Sequence, residues 1–350
     1  MKAIGFAVIL SIATAIPAFA CPPLTPHPEY LLVGNKGEDS ISFINLETGR
    51  ETRRVPVSGS APHEIAITPN GKFAAVVNYG GATIDIFNIG HKSIVATIDL
   101  GENKNPHGLV PLKNGGFVAT TEGGQSIVQL TPTIEKPTAR RSIDCPNEWT
   151  YDWIVESIPT VQQGTHMIAV SSDNKVAYTA NLGSGTVSRI NLTTKVVKSV
   201  DAGKEVEGVA VSKDDSEVWA SVRGEDKVII FASDSLERLA EIKVGAFPLR
   251  ILASPDGTKM VTSNLKDGTV SVIDVKTRKV ERTIKISGTD QTQQVTLLFS
   301  ADGSKLYVAE TGINKIAEIE FETGNLIGRL SGGQQGDGLA IVPKSIINKP

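Results

Sequence analysis

Residues His166–Gly203 read HMIAVSSDNKVAYTANLGSGTVSRINLTTKVVKSVDAG and contain four short runs rich in Val, Ile, Thr and Tyr. Polar segments such as Ser-Asp-Asn-Lys and Asn-Leu-Thr-Thr separate the runs, and they suit tight turns between antiparallel strands. The stretch therefore predicts a four-stranded meander. A unit of this size cannot bury its own faces, so it requires neighbours.

The rest of the chain repeats this unit. Aligning the first strands gives seven copies, which begin at His63, His107, His166, Glu207, Leu249, Val295 and Asp337. The copies recur every 41–46 residues, apart from one longer interval before His166. Four strands in a repeat of this length are typical of a β-propeller.

The two ends of the chain predict how the ring closes. Only three strands precede His63, and a single strand, Asp337–Val342, follows the last full repeat. A C-terminal strand that completes the N-terminal blade would remove the free sheet edges. The sequence thus predicts an all-β, seven-bladed propeller over residues 30–343, with four antiparallel strands per blade.

Several repeats resemble those of the YVTN-repeat propellers, which are exported seven-bladed proteins. The likeness lies in AYTANLGSGTVSRINLTT (Ala177–Thr194), in MVTSNLKDGTVSVIDVKTRKV (Met260–Val280), and in SPDGTK and SADGSK before two second strands. In addition, PHEIAITPNGKFAAVVNYGGATIDIF (Pro62–Phe87) is similar to blades of the related lactonase-type propellers. The resemblance implies a fold rather than a function, because the repeated residues are mostly packing and turn residues.

The first twenty residues have the features of a cleaved signal peptide. Lys2 supplies a positive charge, Ile4–Ile16 is a short apolar core, and Ala18-Phe19-Ala20 offers small residues for cleavage. The mature protein is therefore expected to begin at Cys21 and to be periplasmic or secreted. Residues 21–29 form a Pro-rich arm, and residues 344–350 form a C-terminal tail.

Two cysteines, Cys21 and Cys145, remain in a compartment expected to be oxidising. They permit one disulfide. The alternatives are acylation of Cys21, as in a lipoprotein, and unpaired thiols. Ala18 and Phe19 poorly match the lipobox that precedes an acylated cysteine, so the disulfide is the preferred interpretation.

Composition excludes some partners. The formal net charge is −3, which gives no electrostatic preference for nucleic acid or for an anionic membrane. Beyond the leader, no apolar stretch is long enough to predict a transmembrane helix. We expect a monomer that binds a small molecule or a partner protein.

One register collects most of the chemically competent side chains. The start of each innermost strand carries Asp337, His63, His107, His166, Glu207, Leu249 and Val295. Imidazole and carboxylate together suit zinc, copper or manganese, and a His–carboxylate pair can also shuttle protons. The first five residues are therefore candidate metal ligands. In the alternative interpretation, which the resemblance to YVTN-like repeats implies, the histidines cap their blades, as Pro-His does where it shapes the turn into a strand, and they do not converge.

A second set of candidates could contact a ligand. Asn is typical at the end of the second strands, where it suits a positive-φ turn, but Glu122, Arg223 and Glu310 interrupt that pattern. Arg250, next to Leu249, is a further candidate. Its alternative is a solvated surface cation.

The third blade departs most from the repeat. Its fourth strand is expected at Ala139–Asp144, and residues 145–165 are then an insertion that holds Trp149, Tyr151 and Trp153. Connectivity predicts a lid on the face that carries the histidines, and exposed aromatics commonly mark recognition surfaces. Alternatively, these aromatics plug the channel or pack a short helix.

Three functions remain open. The sequence contains no haem-attachment motif, phosphate-binding glycine loop, GxSxG elbow or EF-hand loop. The first hypothesis is a non-enzymatic protein that binds a ligand or partner at the channel mouth. The second is a lactonase-like hydrolase or a lyase acting on a sugar-derived acid, in which the three ring histidines hold a metal or act as acid and base. The third is a periplasmic metal-binding protein that uses the same histidines.

Overall fold

The computed structural model describes residues 27–137 and 149–344, with side chains for residues 27–133 and 152–344. Its strands form seven four-stranded antiparallel sheets, and the innermost strands of successive sheets contact one another in a closed cycle. The predicted all-β, seven-bladed propeller is therefore confirmed. Within the described ranges, helix is limited to the 3-10 turns Arg223–Glu225, Asp290–Thr292 and Thr311–Ile313, which are far too short to cross a bilayer.

The strands are given blade by blade, from the innermost to the outermost. Blade one contains β28 (Gly336–Val342), β1 (Tyr30–Asn35), β2 (Ser40–Asn45) and β3 (Arg50–Pro56). Blade two contains β4 (Pro62–Ile67), β5 (Phe73–Asn78), β6 (Thr83–Asn88) and β7 (Ser93–Asp99). Blade three contains β8 (Pro106–Pro111), β9 (Phe117–Thr121), β10 (Ser126–Pro137) and β11 (Trp149–Pro159). Blade four contains β12 (Thr165–Val170), β13 (Val176–Asn181), β14 (Thr186–Asn191) and β15 (Val197–Asp201).

The last three blades follow the same order. Blade five contains β16 (Val206–Val211), β17 (Glu217–Val222), β18 (Lys227–Ala232) and β19 (Arg238–Lys243). Blade six contains β20 (Pro248–Ala253), β21 (Lys259–Asn264), β22 (Thr269–Asp274) and β23 (Lys279–Lys285). Blade seven contains β24 (Gln294–Phe299), β25 (Lys305–Glu310), β26 (Lys315–Glu320) and β27 (Asn325–Ser331).

The ring closes as the sequence predicts. Strand β28 pairs antiparallel with β1, from Tyr30 opposite Val342 to Asn35 opposite Gly336. The C-terminal strand therefore supplies the innermost strand of the first blade. This pairing covers the edge of β1 that would otherwise be unpaired, so blade one has four strands like the other blades.

The hydrophobic core is divided among the junctions between blades. Each of seven buried clusters draws its side chains from two neighbouring blades, and together the clusters cover every junction around the ring. Between blades one and two, for example, Leu32 and Phe43 pack with Val76 and Phe87. No blade buries its own faces, so the apolar burial that stabilises each blade depends on its neighbours.

Hydroxyl groups on second strands tie adjacent innermost strands together. The Thr120 hydroxyl accepts the Gly108 N–H at 2.7 Å and donates to the carbonyl of His166 in the next blade at 2.5 Å. Ser221 and Ser263 make the same two contacts in blades five and six. At these three places the hydrogen bonds fix the position of one innermost strand along the channel axis relative to the next.

Blade three corrects the prediction of a lid. Residues 149–159 are the outermost strand of that blade, and they pair with β10 from Ser126 opposite Pro159 to Pro137 opposite Trp149. Because Leu130 already pairs with Phe117 at the start of β9, the rest of this ladder runs past the blade on the face away from His107. The sequence interpretation failed because it assigned the extra residues to a loop instead of to a longer strand pair.

Several predictions lie outside the described residues. These are the signal peptide (1–20), most of the Pro-rich arm (21–29), the strand expected at 139–144, both Cys21 and Cys145, and the tail after Lys344.

Candidate functional site

Three histidines meet at one end of the channel, which we call the mouth. His63, His107 and His166 are each the second residue of an innermost strand, β4, β8 and β12, and these strands start on the same face. The ring centroids of His63 and His107 lie 4.8 Å apart, and those of His107 and His166 lie 3.9 Å apart. The structure thus brings together the histidines that share a register in the sequence.

Close approach of the innermost strands depends on glycine. A Cβ on Gly338 would lie 1.7 Å from the carbonyl oxygen of His63, and one on Gly108 would lie 2.9 Å from that of His166. Both distances are too short for a side chain, so glycine is required at these two positions. Gly108 therefore lets the strands of His107 and His166 come near enough for their rings to contact, and Gly338 does the same for the strands of Asp337 and His63.

His166 is held between two carboxylates. Its Nδ1 lies 2.5 Å from Oε1 of Glu122, and its Nε2 lies 2.8 Å from Oε1 of Glu207. Burial alone would lower the pKa of His166, but the charge of Glu207 and the hydrogen bonds to both carboxylates outweigh it and raise the pKa to about 9. Both ring nitrogens therefore carry protons at neutral pH, and the ring is an imidazolium.

Two arginines hold Glu207 in place. Arg223 donates to its Oε2 at 2.8 Å, and Arg250 donates to its Oε1 at 3.1 Å. Burial would raise the pKa of Glu207, but His166 and the two arginines reverse this and lower the pKa to about 2. Glu207 is thus a permanent anion beneath the imidazolium. Arg223 also stacks on the Phe247 ring, 5.0 Å from its centroid.

The hydrogen bonds form a chain, which we call the circuit, that crosses the channel from blade two to blade six and returns to blade two through blades five, four and three. Tyr79 donates to Oε2 of Glu122 at 2.9 Å, and Arg250 donates to Oε1 of Glu64 at 2.9 Å. Burial, together with the Glu122 carboxylate, raises the pKa of Tyr79 to about 12, so its hydroxyl keeps its proton. The circuit runs in order through Glu64, Arg250, Glu207, His166, Glu122 and Tyr79, and it starts and ends in blade two.

The other two histidines are neutral. Burial, reinforced by the positive charge of His166, lowers the pKa of His107 well below its ordinary value. Burial also lowers the pKa of His63, against the opposing charge of Asp337. The Nδ1 of His63 lies 2.9 Å from the Ala61 carbonyl, which can only accept, so this nitrogen carries the proton. The Nδ1 of His107 is buried without a hydrogen-bond partner.

Asp337 completes the ring of predicted ligands on the side of blade one. Its Oδ2 accepts from Lys36 at 2.7 Å and lies 3.9 Å from Nε2 of His63, while Oδ1 accepts from the Thr296 hydroxyl at 2.9 Å. Burial opposes ionisation of Asp337, but Lys36 and Arg250 lower its pKa. It therefore remains an anion, paired chiefly with Lys36.

The residues predicted to contact a ligand divide into two groups. Glu122 and Arg250 belong to the circuit, and Arg223 donates to its member Glu207. Arg250 is only 5% exposed, so its interpretation as a solvated surface cation is wrong. Glu310 is fully buried inside blade seven, where Arg329 donates to it, and it does not reach the histidines.

The aromatic residues of blade three lie elsewhere. Trp153 packs on Phe117 with ring centroids 6.0 Å apart, at the end of the blade opposite the mouth. Trp149 and Tyr151 belong to the same strand, β11, and pair with residues of β10 beyond that end. The backbone therefore carries all three away from the histidines.

Sequence reasoning missed three members of the site, Glu64, Tyr79 and Lys36. Glu64 occupies the register that Gly108, Gly208 and Gly338 occupy in other blades, so a large charged residue there was a usable signal. Tyr79 and Lys36 each follow the last residue of a second strand. Glu122 and Arg223 occupy this same position, so the prediction that places them at the strand ends is wrong by one residue.

A metal could be held by part of this cluster. Ligand atoms of His107, Glu122 and His166 all lie within 4.8 Å of one another. Two imidazoles and a carboxylate are a donor set that zinc uses in hydrolytic sites. The predicted metal ligands are thus only partly gathered: His107 and His166 join Glu122, whereas Glu207 is engaged by two arginines and Asp337 by Lys36.

Comparison with known proteins gives one family match. Residues 193–296, in blades four to seven, match the family described as "Lactonase, 7-bladed beta-propeller". None of the curated proteins compared with the sequence matches it significantly.

Several solved structures are similar in fold. A functionally unknown protein from Desulfotomaculum acetoxidans DSM 771 has a TM-score of 0.72 at 14% identity, over 90% of this chain and 99% of that one. A putative 6-phosphogluconolactonase from Bacteroides fragilis NCTC 9343 has a TM-score of 0.67 at 17% identity, over 89% and 97%. A streptogramin B lyase has a TM-score of 0.66 at 12% identity, over 89% and 90%. At these identities the likeness shows the fold alone.

Proposed function

We propose that this seven-bladed propeller, whose residues 193–296 match the lactonase propeller family, is an enzyme, a hydrolase or lyase that acts on a lactone or another sugar-derived acid at the mouth. The observation that carries this proposal is the contrast between two stacked imidazoles, the neutral His107 and the cationic His166. Titratable neighbours whose pKa values are driven apart are characteristic of acid–base catalysis.

His107 is assigned as the general base. In hydrolysis it takes a proton from the water that attacks the lactone carbonyl, and it returns that proton to the ring oxygen as the carbon–oxygen bond breaks. In a lyase reaction it takes the proton from the carbon beside the carboxylate, the carbon–oxygen bond at the next carbon breaks as the double bond forms, and the proton passes to the departing oxygen. The fixed positive charge of His166, 3.9 Å away between ring centroids, favours the neutral base and stabilises negative charge that develops on the substrate.

The rim of the mouth supplies the contacts for binding. The side chains of Lys36 and Arg223 are about one fifth exposed, whereas His107 is buried. Their N–H groups can donate to hydroxyl or carboxylate oxygens of a substrate that enters from this face.

The test is a panel of sugar lactones and sugar acids, assayed with and without a chelator. His107→Gln should lose turnover, and His91→Gln, which changes a histidine outside the cluster, should not. Turnover that survives in His107→Gln contradicts the assignment. Saturable binding at the mouth with no turnover of any substrate would instead favour the non-enzymatic binding protein.

A second candidate, metal binding, is favoured by the proximity of His107, Glu122 and His166. Bound there, a zinc ion would supply Lewis-acid polarisation of a carbonyl. Occupancy would require His166 to give up the proton that it shares with Glu122. The measurement is metal content after dialysis against zinc, copper or manganese. Glu122→Gln should lower it several-fold and Glu310→Gln should not; equal metal in both variants removes this candidate.

Export and disulfide formation are part of the proposal. The leader at residues 1–20 supports a periplasmic or secreted protein that begins at Cys21. Intact-mass measurement on the exported protein, with and without reductant, should give a chain that starts at Cys21 and gains two mass units on reduction. A mass that includes the leader or a lipid on Cys21 contradicts this.

A further inference from the structure

Arg250 crosses the channel. It extends from β20 in blade six to Glu64 on β4 in blade two, where the two side chains meet at 2.9 Å. Blades two and six are not neighbours, because blades three, four and five separate them on one side and blades seven and one on the other. Both residues are over nine-tenths buried. The contact therefore spans the interior of the ring.

The register of the two residues explains how they reach one another. Each follows the mouth position of its innermost strand, and three other blades have glycine there, Gly108, Gly208 and Gly338. An added Cβ at Gly208 would lie 2.5 Å from the carbonyl oxygen of Leu249. Blades two and six instead carry a long charged side chain at this position, and the two side chains meet across the channel.

The bridge also supports the catalytic cluster. Arg250 donates with one terminal nitrogen to Glu64 and with the other to Oε1 of Glu207, and that same oxygen lies 2.8 Å from Nε2 of His166. A buried guanidinium between two carboxylates is a fixed, geometrically specific contact. Movement of Arg250 would release Glu207 from one of its two arginine partners.

We propose that Arg250 is a positioning residue whose bridge to Glu64 closes the channel beneath the imidazoles and holds Glu207 against His166. The mouth is then a blind pocket, and a substrate enters and leaves by one face only. The description of that pocket as catalytic rests on the proposed function, but the bridge itself does not.

The test uses Arg250→Ala, which leaves a space lined by the carboxylates of Glu64 and Glu207. Free guanidinium ion at millimolar concentration should bind in that space and raise the Tm of Arg250→Ala. Wild type and Arg53→Ala, which removes an exposed arginine, should show no such rise. The absence of a guanidinium response specific to Arg250→Ala overturns the proposal.

The activity assay separates this inference from the proposed function. If the proposed reaction occurs, Arg250→Ala should lose at least about tenfold in kcat, and guanidinium should restore part of it. A stabilising guanidinium response in a protein without turnover would retain the bridge and reject the enzyme. Turnover that is unchanged in Arg250→Ala would retain the enzyme and reject the positioning role.

A double-mutant cycle tests the bridge even if Arg250→Ala does not fold. Glu64→Gln, Arg250→Gln and the double variant each keep a polar side chain at the site but remove the charge of one or both partners. If the two residues bond across the channel, the fall in stability of the double variant should be smaller than the sum of the two single falls. Strict additivity overturns the bridge.

Discussion

The imidazole of His107 lies over that of His166, with ring centroids 3.9 Å apart and ring planes inclined by 34°. The two rings differ in charge because their partners differ: two carboxylates face His166, whereas Nδ1 of His107 has no hydrogen-bond partner. Two histidines in equivalent positions of neighbouring repeats have thus become a cation and a neutral base.

His107→Gln should lower kcat/KM by about 10²–10⁴, the usual effect of removing a general base. Because the pKa of His107 is lowered well below its ordinary value, the wild-type rate should fall only in acid, well below pH 6.5. The pH dependence of kcat/KM measures both effects. A rate that already falls near pH 6.5 would contradict the assignment of His107.

Much of the fold could be predicted because its signals are local and repeated. Strand alternation, turn residues and the repeat length predict the blades. The extra strand at Asp337–Val342 predicts how the ring closes. The shared register of His63, His107 and His166 also placed them in one ring. What the sequence could not supply is the contact across the ring, since Glu64 and Arg250 are 186 residues apart and belong to blades that do not touch.

The asparagines at the ends of the second strands are structural, as expected, but the expected reason, a positive-φ turn, is wrong. Asn78 and its equivalents are structural, but none of them has a positive φ. Instead, Asn181 donates to the hydroxyls of Thr186 and Ser188 on the third strand. The repeat pattern indicates that a residue matters to the blade, whereas its hydrogen-bond partners become visible only in three dimensions.

Thr120→Val should destabilise the protein by about 1–3 kcal/mol, because it leaves the buried Gly108 N–H and His166 carbonyl without the hydroxyl that bridges them. Thr262→Val is a matched control, since that hydroxyl is buried with no hydrogen-bond partner. Denaturant unfolding measures both. Equal effects in the two variants would show that the bridge between blades contributes nothing.

Removing residues 336–350 should prevent recovery of soluble, monodisperse protein. The truncation deletes β28, leaves β1 with an unpaired edge and removes Ala340 and Val342 from the apolar junction between blades one and two. A chain that ends at Lys344 keeps β28 and is the control. Size-exclusion chromatography distinguishes the two, and a monomeric, cooperatively unfolding truncated chain would show that closure by β28 is dispensable.

The charge on His166 should make stability depend on pH in the alkaline range. Its pKa is about 9 in the folded protein, against about 6.5 in an unfolded chain. The folded state therefore binds this proton more tightly, and the stabilisation is fully present below pH 6.5 and is lost as pH rises through 9. The difference corresponds to roughly 3 kcal/mol.

His166→Gln should remove that dependence. Wild type should lose stability between pH 7 and pH 9.5, whereas the variant, less stable at pH 7, should follow a flatter curve over the same range. His91→Gln lies outside the cluster and should reproduce the wild-type slope. Parallel curves for wild type and His166→Gln would mean that the ring is not an imidazolium, and the contrast with His107 would then have no basis.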